Sequence, residues 1–246
     1  MQALILAGGL GTRLRGIVKD IPKTMVDIKG KPFLEYLILQ LKNNNLDDIV
    51  LCTGYLREKI ETYFGNGNHL GVNIVYSEEP EPLGTGGAIK LAENLVKSDD
   101  FIVMNGDSFF DIDLGKLISY HFDKRALTTV ALADIKEAKR FGSVKIDKNG
   151  TIKRFIEKEQ KSNSNLINGG IYVLNKEIFN YIIKDKNTSL EKEIFPNLIG
   201  KGFYGISFDN YFIDIGVPED YKRLQKNFKM FFKLSNCNIE DSKYKE

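Results

Sequence analysis

The chain has 246 residues, enough for one large α/β domain or two small ones, with 42% hydrophobic residues, 28% charged residues and no tryptophan. Its formal net charge of +2 is close to balance and no basic block is interleaved with aromatics, so a nucleic-acid track is excluded. No run approaches the ~18 apolar residues of a membrane span, and Gln2 to Ala7 is too short for a signal peptide. Cys52 lies in an apolar run and Cys237 in a polar tail, which makes neither a disulfide framework nor a CxxC metal pair. A reducing, cytoplasmic setting is expected.

Strands and helices alternate through the first half. ALILA (Ala3 to Ala7) is short and wholly apolar, as a strand covered on both faces would be. KPFLEYLILQLKNN carries a helical stripe of Phe33, Leu34, Leu37, Ile38 and Leu41. DDIVLCT follows as a buried strand, REKIETYF as a helix, VNIVYS as a strand, GGAIKLAENLV as a helix and DFIVMNGDS as a strand ending in acid. Such alternation predicts an α/β fold whose ligands gather at the carboxyl ends of parallel strands. After about Leu114 the pattern changes. LTTVALA, GSVKID, TIKRFIEK and LINGGIYVL follow closely, with a DKNG turn (Asp147 to Gly150) among them, which predicts antiparallel or mixed pairing. Two helical stretches, KEIFNYIIK and SLEKEIFPNLI, precede short strands and an amphipathic helix from Pro218, and the polar end is expected to fray. With no repeat or Ser/Pro linker, one domain is the expectation. It divides into a first part (1–114), a second part with a C-terminal helix (115–232) and a polar tail (233–246).

The first strand runs into GGLGTRLRG, four glycines and two arginines in nine residues. Glycines let backbone N–H groups approach an anion and guanidiniums add forked donors, a combination suited to phosphate. The loop is neither a Walker A motif, since no Lys-Ser or Lys-Thr sits at the right spacing, nor a GxGxxG fingerprint, since Leu14 stands at the third glycine. Lys23, after Pro22, can add a second cation beside Arg13. GTGGAI (Gly84 to Ile89) lies at a helix N-terminus, where free N–H groups can meet a base or a phosphate. Asp107 and Asp214 each end a strand, as carboxylates that hold Mg²⁺ do. Glu157, Lys158 and Asn168 offer hydroxyl and phosphate partners suited to a sugar phosphate. His69 in a loop and His121 in a helical stretch are not expected to take part in catalysis.

LAGGLGTRLRG, Pro22-Lys23, LGTGGAI, NGD, FGSV, FIEK, INGGIYVL and DIGVPEDY stand in the order and spacing of the sugar-1-phosphate nucleotidyltransferases, and the chain resembles that family from Ala3 to about Tyr221. Within the family it looks most like the short bacterial D-glycero-α-D-manno-heptose 1-phosphate guanylyltransferases, which lack a left-handed β-helix. The resemblance implies the nucleotide-diphospho-sugar transferase fold, a Rossmann-like, mostly parallel mixed sheet flanked by helices. It implies that Leu6, Ala7, Gly8, Gly9, Gly11 and Thr12 surround the triphosphate and that Arg13 and Lys23 neutralise the reacting phosphates. Gly84, Thr85 and Gly87 would border the base; Gly142, Glu157, Asn168 and Gly169 would hold the sugar, and Lys158 its phosphate. Asp107, which also faces the nucleotide, and Asp214 would ligate Mg²⁺. The implied partners are GTP and a sugar 1-phosphate, without nucleic acid or membrane, and a homo-oligomer is compatible with this. Transfer to mannose 1-phosphate and uridylyl transfer are the alternatives. A glycosyltransferase using DID (Asp111 to Asp113) as a DxD metal motif, or a non-catalytic nucleotide-binding module, would be a different class. Two departures from the family pattern, Gly16 for proline and Val217 for threonine, remove no charge the chemistry needs.

Overall fold

The structure, a computed structural model, describes residues 1–9, 20–135, 143–156 and 165–226. The first half contains β1 (Gln2–Leu6), β2 (Asp27–Ile28), β3 (Lys31–Pro32), α1 (Phe33–Asn43), β4 (Asp48–Thr53), α2 (Arg57–Phe64), β5 (Asn73–Glu78), α3 (Gly84–Leu91), β6 (Asp100–Asn105) and β7 (Ser108–Phe110). The second contains α4 (Leu114–Lys124), β8 (Thr128–Asp134), β9 (Ser143–Ile146), β10 (Ile152–Ile156), β11 (Leu166–Asn175), α5 (Phe195–Asn197), β12 (Phe203–Phe208), β13 (Phe212–Asp214) and α6 (Pro218–Lys226).

β1 is apolar from Ala3 to Leu6 because it is covered on both faces and paired on both edges, parallel to β4 and to β6. β5 extends the parallel set beyond β4. Alternate residues of each strand feed two cores. Ala3, Ile5, Ile102 and Met104 pack with Phe33, Leu37 and Leu41 of α1, Phe64 of α2 and Leu117 of α4. Leu4, Phe101 and Val103 face the opposite way, against Ala88 and Ile89 of α3, Phe179 and Phe195. The result is helices on both faces of one sheet.

The second half joins this sheet through β11, which runs antiparallel to β6 on one edge and to β8 on the other, while β12 pairs parallel with β8. The mixed pairing expected after Leu114 is therefore present. β11 bulges at the INGG sequence: Asn168 pairs with Leu132 and Tyr172 with Val130, so three residues of β11 lie opposite one of β8.

The two helical stretches expected near the C-terminus take other forms. KEIFNYIIK forms a 3-10 helix over Lys176–Tyr181, and LEKEI forms a π-helical turn, Leu190–Ile194, leading into α5. Pro196 has no N–H with which to continue an α-helical ladder, so the register changes there.

The DID sequence is used structurally at its second acid. Asp113 is the N-cap of α4, its carboxylate accepting from the Lys116 N–H at 2.9 Å. Asp113→Ala should cost about 1 kcal/mol and lower the thermal midpoint by about 2–4 °C, read by thermal unfolding. An unchanged midpoint would show that α4 does not need the cap.

Candidate active site

Three segments bring charge together at the carboxyl ends of the parallel strands. Pro22 precedes a 3-10 turn, Lys23–Met25, and its carbonyl accepts from the Met25 N–H at 2.9 Å, which fixes where Lys23 projects. Asp107 follows β6 in the sharp turn to β7. Gly106 makes that turn possible, since a Cβ there would lie 2.5 Å from the Leu6 carbonyl oxygen. Asp214 is delivered by strand pairing: β13 runs antiparallel to β7 with Asp214 opposite Ser108, and the Ile215 N–H donates to the Asp107 carbonyl at 2.9 Å. Lys23 Nζ donates to Asp107 Oδ2 at 2.6 Å and lies 3.9 Å from Asp214 Oδ1. The Lys23 side chain is 13% exposed and that of Asp107 40%, so the pair is open on its acidic side, and with Asp214 the cluster carries one formal negative charge in excess. The Gly216 N–H holds Asp214 Oδ1 at 2.5 Å.

Lys23 and Asp107 line a cavity of about 400 Å³ together with Leu6, Gly8, Gly9, Thr24, Glu79, Pro82, Gly84, Thr85 and Asn105. Of the residues expected to surround a nucleotide, Leu6, Gly8, Gly9, Lys23, Gly84, Thr85 and Asp107 do line it. Ala7 is buried behind it, its N–H donated to Cys52. Gly87 is also buried, and Thr188 O accepts from both the Gly86 and Gly87 N–H groups at 2.8 and 3.2 Å. Of the α3 amides expected to be free for a ligand, those of Gly86 and Gly87 are thus taken up by the chain itself. Gly84 opens α3 at φ +70, a conformation costly for other residues. Gly11, Thr12, Arg13, Gly142, Glu157 and Lys158 lie outside the described residues, as does the polar tail.

Asn168 and Gly169 lie in the β11 bulge and are not part of this lining. Asn168 donates to the Tyr172 hydroxyl at 2.8 Å and accepts from the Gly170 N–H at 2.9 Å. Neither histidine lines the cavity: His69 lies in the turn Asn68–Leu70, and His121 is buried between Thr129 and Asp100. Among the described residues no cluster of three His, Cys, Asp or Glu side chains is set for a metal, so a cation here would rest on the Asp107 and Asp214 pair. Those oxygens suit a hard divalent ion that completes its shell with phosphate and water.

Sequence reading missed Glu79. It sits among the acids and prolines of SEEPEP with nothing to separate it from its neighbours, yet Glu78 pairs outward with Arg57 while Glu79 turns into the cavity beside Gly8. Its Oε2 accepts from the Leu83 N–H at 3.1 Å. Burial raises its carboxyl above the ordinary glutamate range, and the Leu83 hydrogen bond pulls the other way. A folded-state pKa above the unfolded one gives stability that is fully present below the unfolded value of roughly 4.3 and is lost as pH rises through the folded value. Glu79→Gln should therefore gain in thermal midpoint relative to the parent as pH rises from about 4 through the folded value. A constant offset across that range would show the carboxylate to be fully solvated.

A family model described as Nucleotidyl transferase matches residues 2–229. A D-glycero-alpha-D-manno-heptose 1-phosphate guanylyltransferase of Aneurinibacillus thermoaerophilus is 44% identical over 232 residues, 94% of this chain and 100% of that one. The protein of the same name from Campylobacter jejuni is 46% identical over 221 residues, 90% of this chain and 97% of its own. Among solved structures, HddC from Yersinia pseudotuberculosis in complex with GMP-PN superposes with a TM-score of 0.80 at 36% identity, covering 92% of this chain and 99% of that one. With the charged cluster at the strand ends, these matches show that the chain belongs to the nucleotidyl transferase family.

Proposed function

We propose that the chain transfers GMP from GTP to D-glycero-α-D-manno-heptose 1-phosphate, giving GDP-heptose and pyrophosphate for surface polysaccharide synthesis, and that it does so as one domain. The observation that carries this reading is the meeting of Lys23 with Asp107 and Asp214 beside a cavity that Lys23, Asp107 and Glu79 line. A phosphate oxygen of the sugar phosphate attacks the α-phosphorus of GTP, the bond to the bridging oxygen breaks, and pyrophosphate leaves with that electron pair. The nucleophile is ionised near neutral pH, so no general base is needed. What the reaction demands is cation density, because charge spreads over phosphate oxygens in the transition state. Lys23 supplies part of it beside the α-phosphate, and Arg13 in the glycine loop another part. Mg²⁺ held by Asp107 and Asp214 would offset further phosphate charge.

Glu79 supports guanine over uracil on chemical grounds. Guanine presents two adjacent donors, N1–H and N2–H₂, which a carboxylate can accept together, whereas uracil flanks its one N–H with two carbonyl oxygens that a carboxylate repels. Relatives named heptose 1-phosphate guanylyltransferase, covered over nearly their whole length, support the same assignment. The use of Asp113 as a helix cap speaks against a DxD glycosyltransferase.

GTP with heptose 1-phosphate should release pyrophosphate, and GTP should exceed UTP in kcat/KM by about ten- to a hundredfold. Glu79→Gln should erase most of that preference. UTP matching GTP in the parent chain would overturn the guanylyl assignment, and mannose 1-phosphate outperforming the heptose would change the sugar. Asp107→Asn should lower turnover by about a hundredfold or more while the thermal midpoint stays within a few degrees, and chelation should abolish turnover reversibly. Near-normal turnover in either case would remove the carboxylate pair from the reaction.

A further inference from the structure

One carboxylate that the reaction above does not use ties the two halves of the site together. Glu191 is half-buried in the π-helical turn and accepts three hydroxyl groups: Thr85 at 2.7 Å and Ser189 at 3.0 Å on Oε2, and Tyr172 at 3.2 Å on Oε1. Thr85 is on the wall of the cavity at the start of α3, and its oxygen in turn accepts from the Leu190 N–H at 2.8 Å. The fully buried Tyr172 hydroxyl accepts from Asn168 in the β11 bulge and also from Asn105, just before Asp107. Burial and the nearby Glu191 charge push this phenol well above its ordinary pKa, so it remains a donor. Glu191 thus connects LGTGG, NGD and INGG, three motifs far apart in sequence.

We propose that Glu191 is a positioning residue, fixing the distance between the nucleotide wall at Thr85 and the β11 bulge at Asn168 so that two anionic substrates meet in line. This rests on the nucleotidyl-transfer reading. The chemistry requires an acceptor at both oxygens. An amide nitrogen at the Oε1 position would face a Tyr172 oxygen already taken by two amide donors; at the Oε2 position it would take away the acceptor that the Thr85 and Ser189 hydroxyls share. Either orientation removes one acceptor from the network, so an amide of the same shape replaces the carboxylate only in part.

The test compares the full chain with Glu191→Gln and Glu191→Ala by initial rates of pyrophosphate release, by calorimetric GTP binding without sugar phosphate, and by thermal unfolding. Both variants should lose about tenfold or more in kcat, with the GTP dissociation constant changing by less than about threefold and the midpoint of the Gln variant falling by no more than a few degrees. A Gln variant with parental kcat would overturn the proposal, and so would a loss confined to GTP affinity. Absence of pyrophosphate release from the parent chain would instead sink the transfer reading. The connection is then judged by amide hydrogen exchange, in which Glu191→Gln should speed exchange at Gly170, whose N–H rests on Asn168. Unchanged exchange there would overturn it.

Discussion

The contact between Lys23 and the carboxylates of Asp107 and Asp214 is the constraint around which the rest of the site is arranged. Three chain segments must arrive at one point for it to form: the 3-10 turn fixed by Pro22, the turn after β6, and β13 paired on β7. None of these has a stable reason to be there alone. The parallel sheet supplies the reason, because β1 and β6 are neighbours and their carboxyl ends open on the same edge. A lysine held between two acids is a poor stabiliser of the fold when partly open to water. On the proposed function it is a prepared charge distribution, with the cation set for a phosphate and the excess negative charge for a divalent ion.

The second half of the chain contributes by pairing β11 against β6 and then departing from regular pairing. Its bulge places Asn168 beside the end of the first half, and Gly169 fits because a Cβ there would lie 2.5 Å from the Phe110 ring. Tyr172 follows with its ring packed 5.1 Å from that of Phe195 and its hydroxyl turned toward Glu191 and the two asparagines. One residue therefore belongs to the apolar core and to the polar network at once. This is how a polar network assembled from distant segments is anchored in the apolar core.

What could be read from the sequence was what local chemistry writes into it. The alternation from β1 to β6 was legible because apolar runs of strand length and stripes of helical spacing are local signals, and α1, with Phe33, Leu37 and Leu41 inward, obeys them. Lys23, Asp107 and Asp214 were legible through their neighbours, a proline and two strand ends. Glu79 was not, since its difference from Glu78 and Glu81 arises only when the turn before α3 aims it inward. Glu191 was not either, because its partner Thr85 is 106 residues away and no spacing rule links them. The engagement of the Gly86 and Gly87 amides was not legible for the same reason: the carbonyl of Thr188 that accepts from them comes from the second half of the chain.

The central claim is that the Lys23, Asp107 and Asp214 cluster is where phosphate and metal meet. It is tested most directly by a crystal structure of the chain grown with Mn²⁺ and a non-hydrolysable GTP analogue, read by anomalous scattering. The account predicts an anomalous peak bridging the Asp107 and Asp214 carboxylates, with the α-phosphate beside Lys23 and the guanine edge on Glu79. A metal peak elsewhere, with the Lys23–Asp107 pair closed and the nucleotide away from it, would contradict the account.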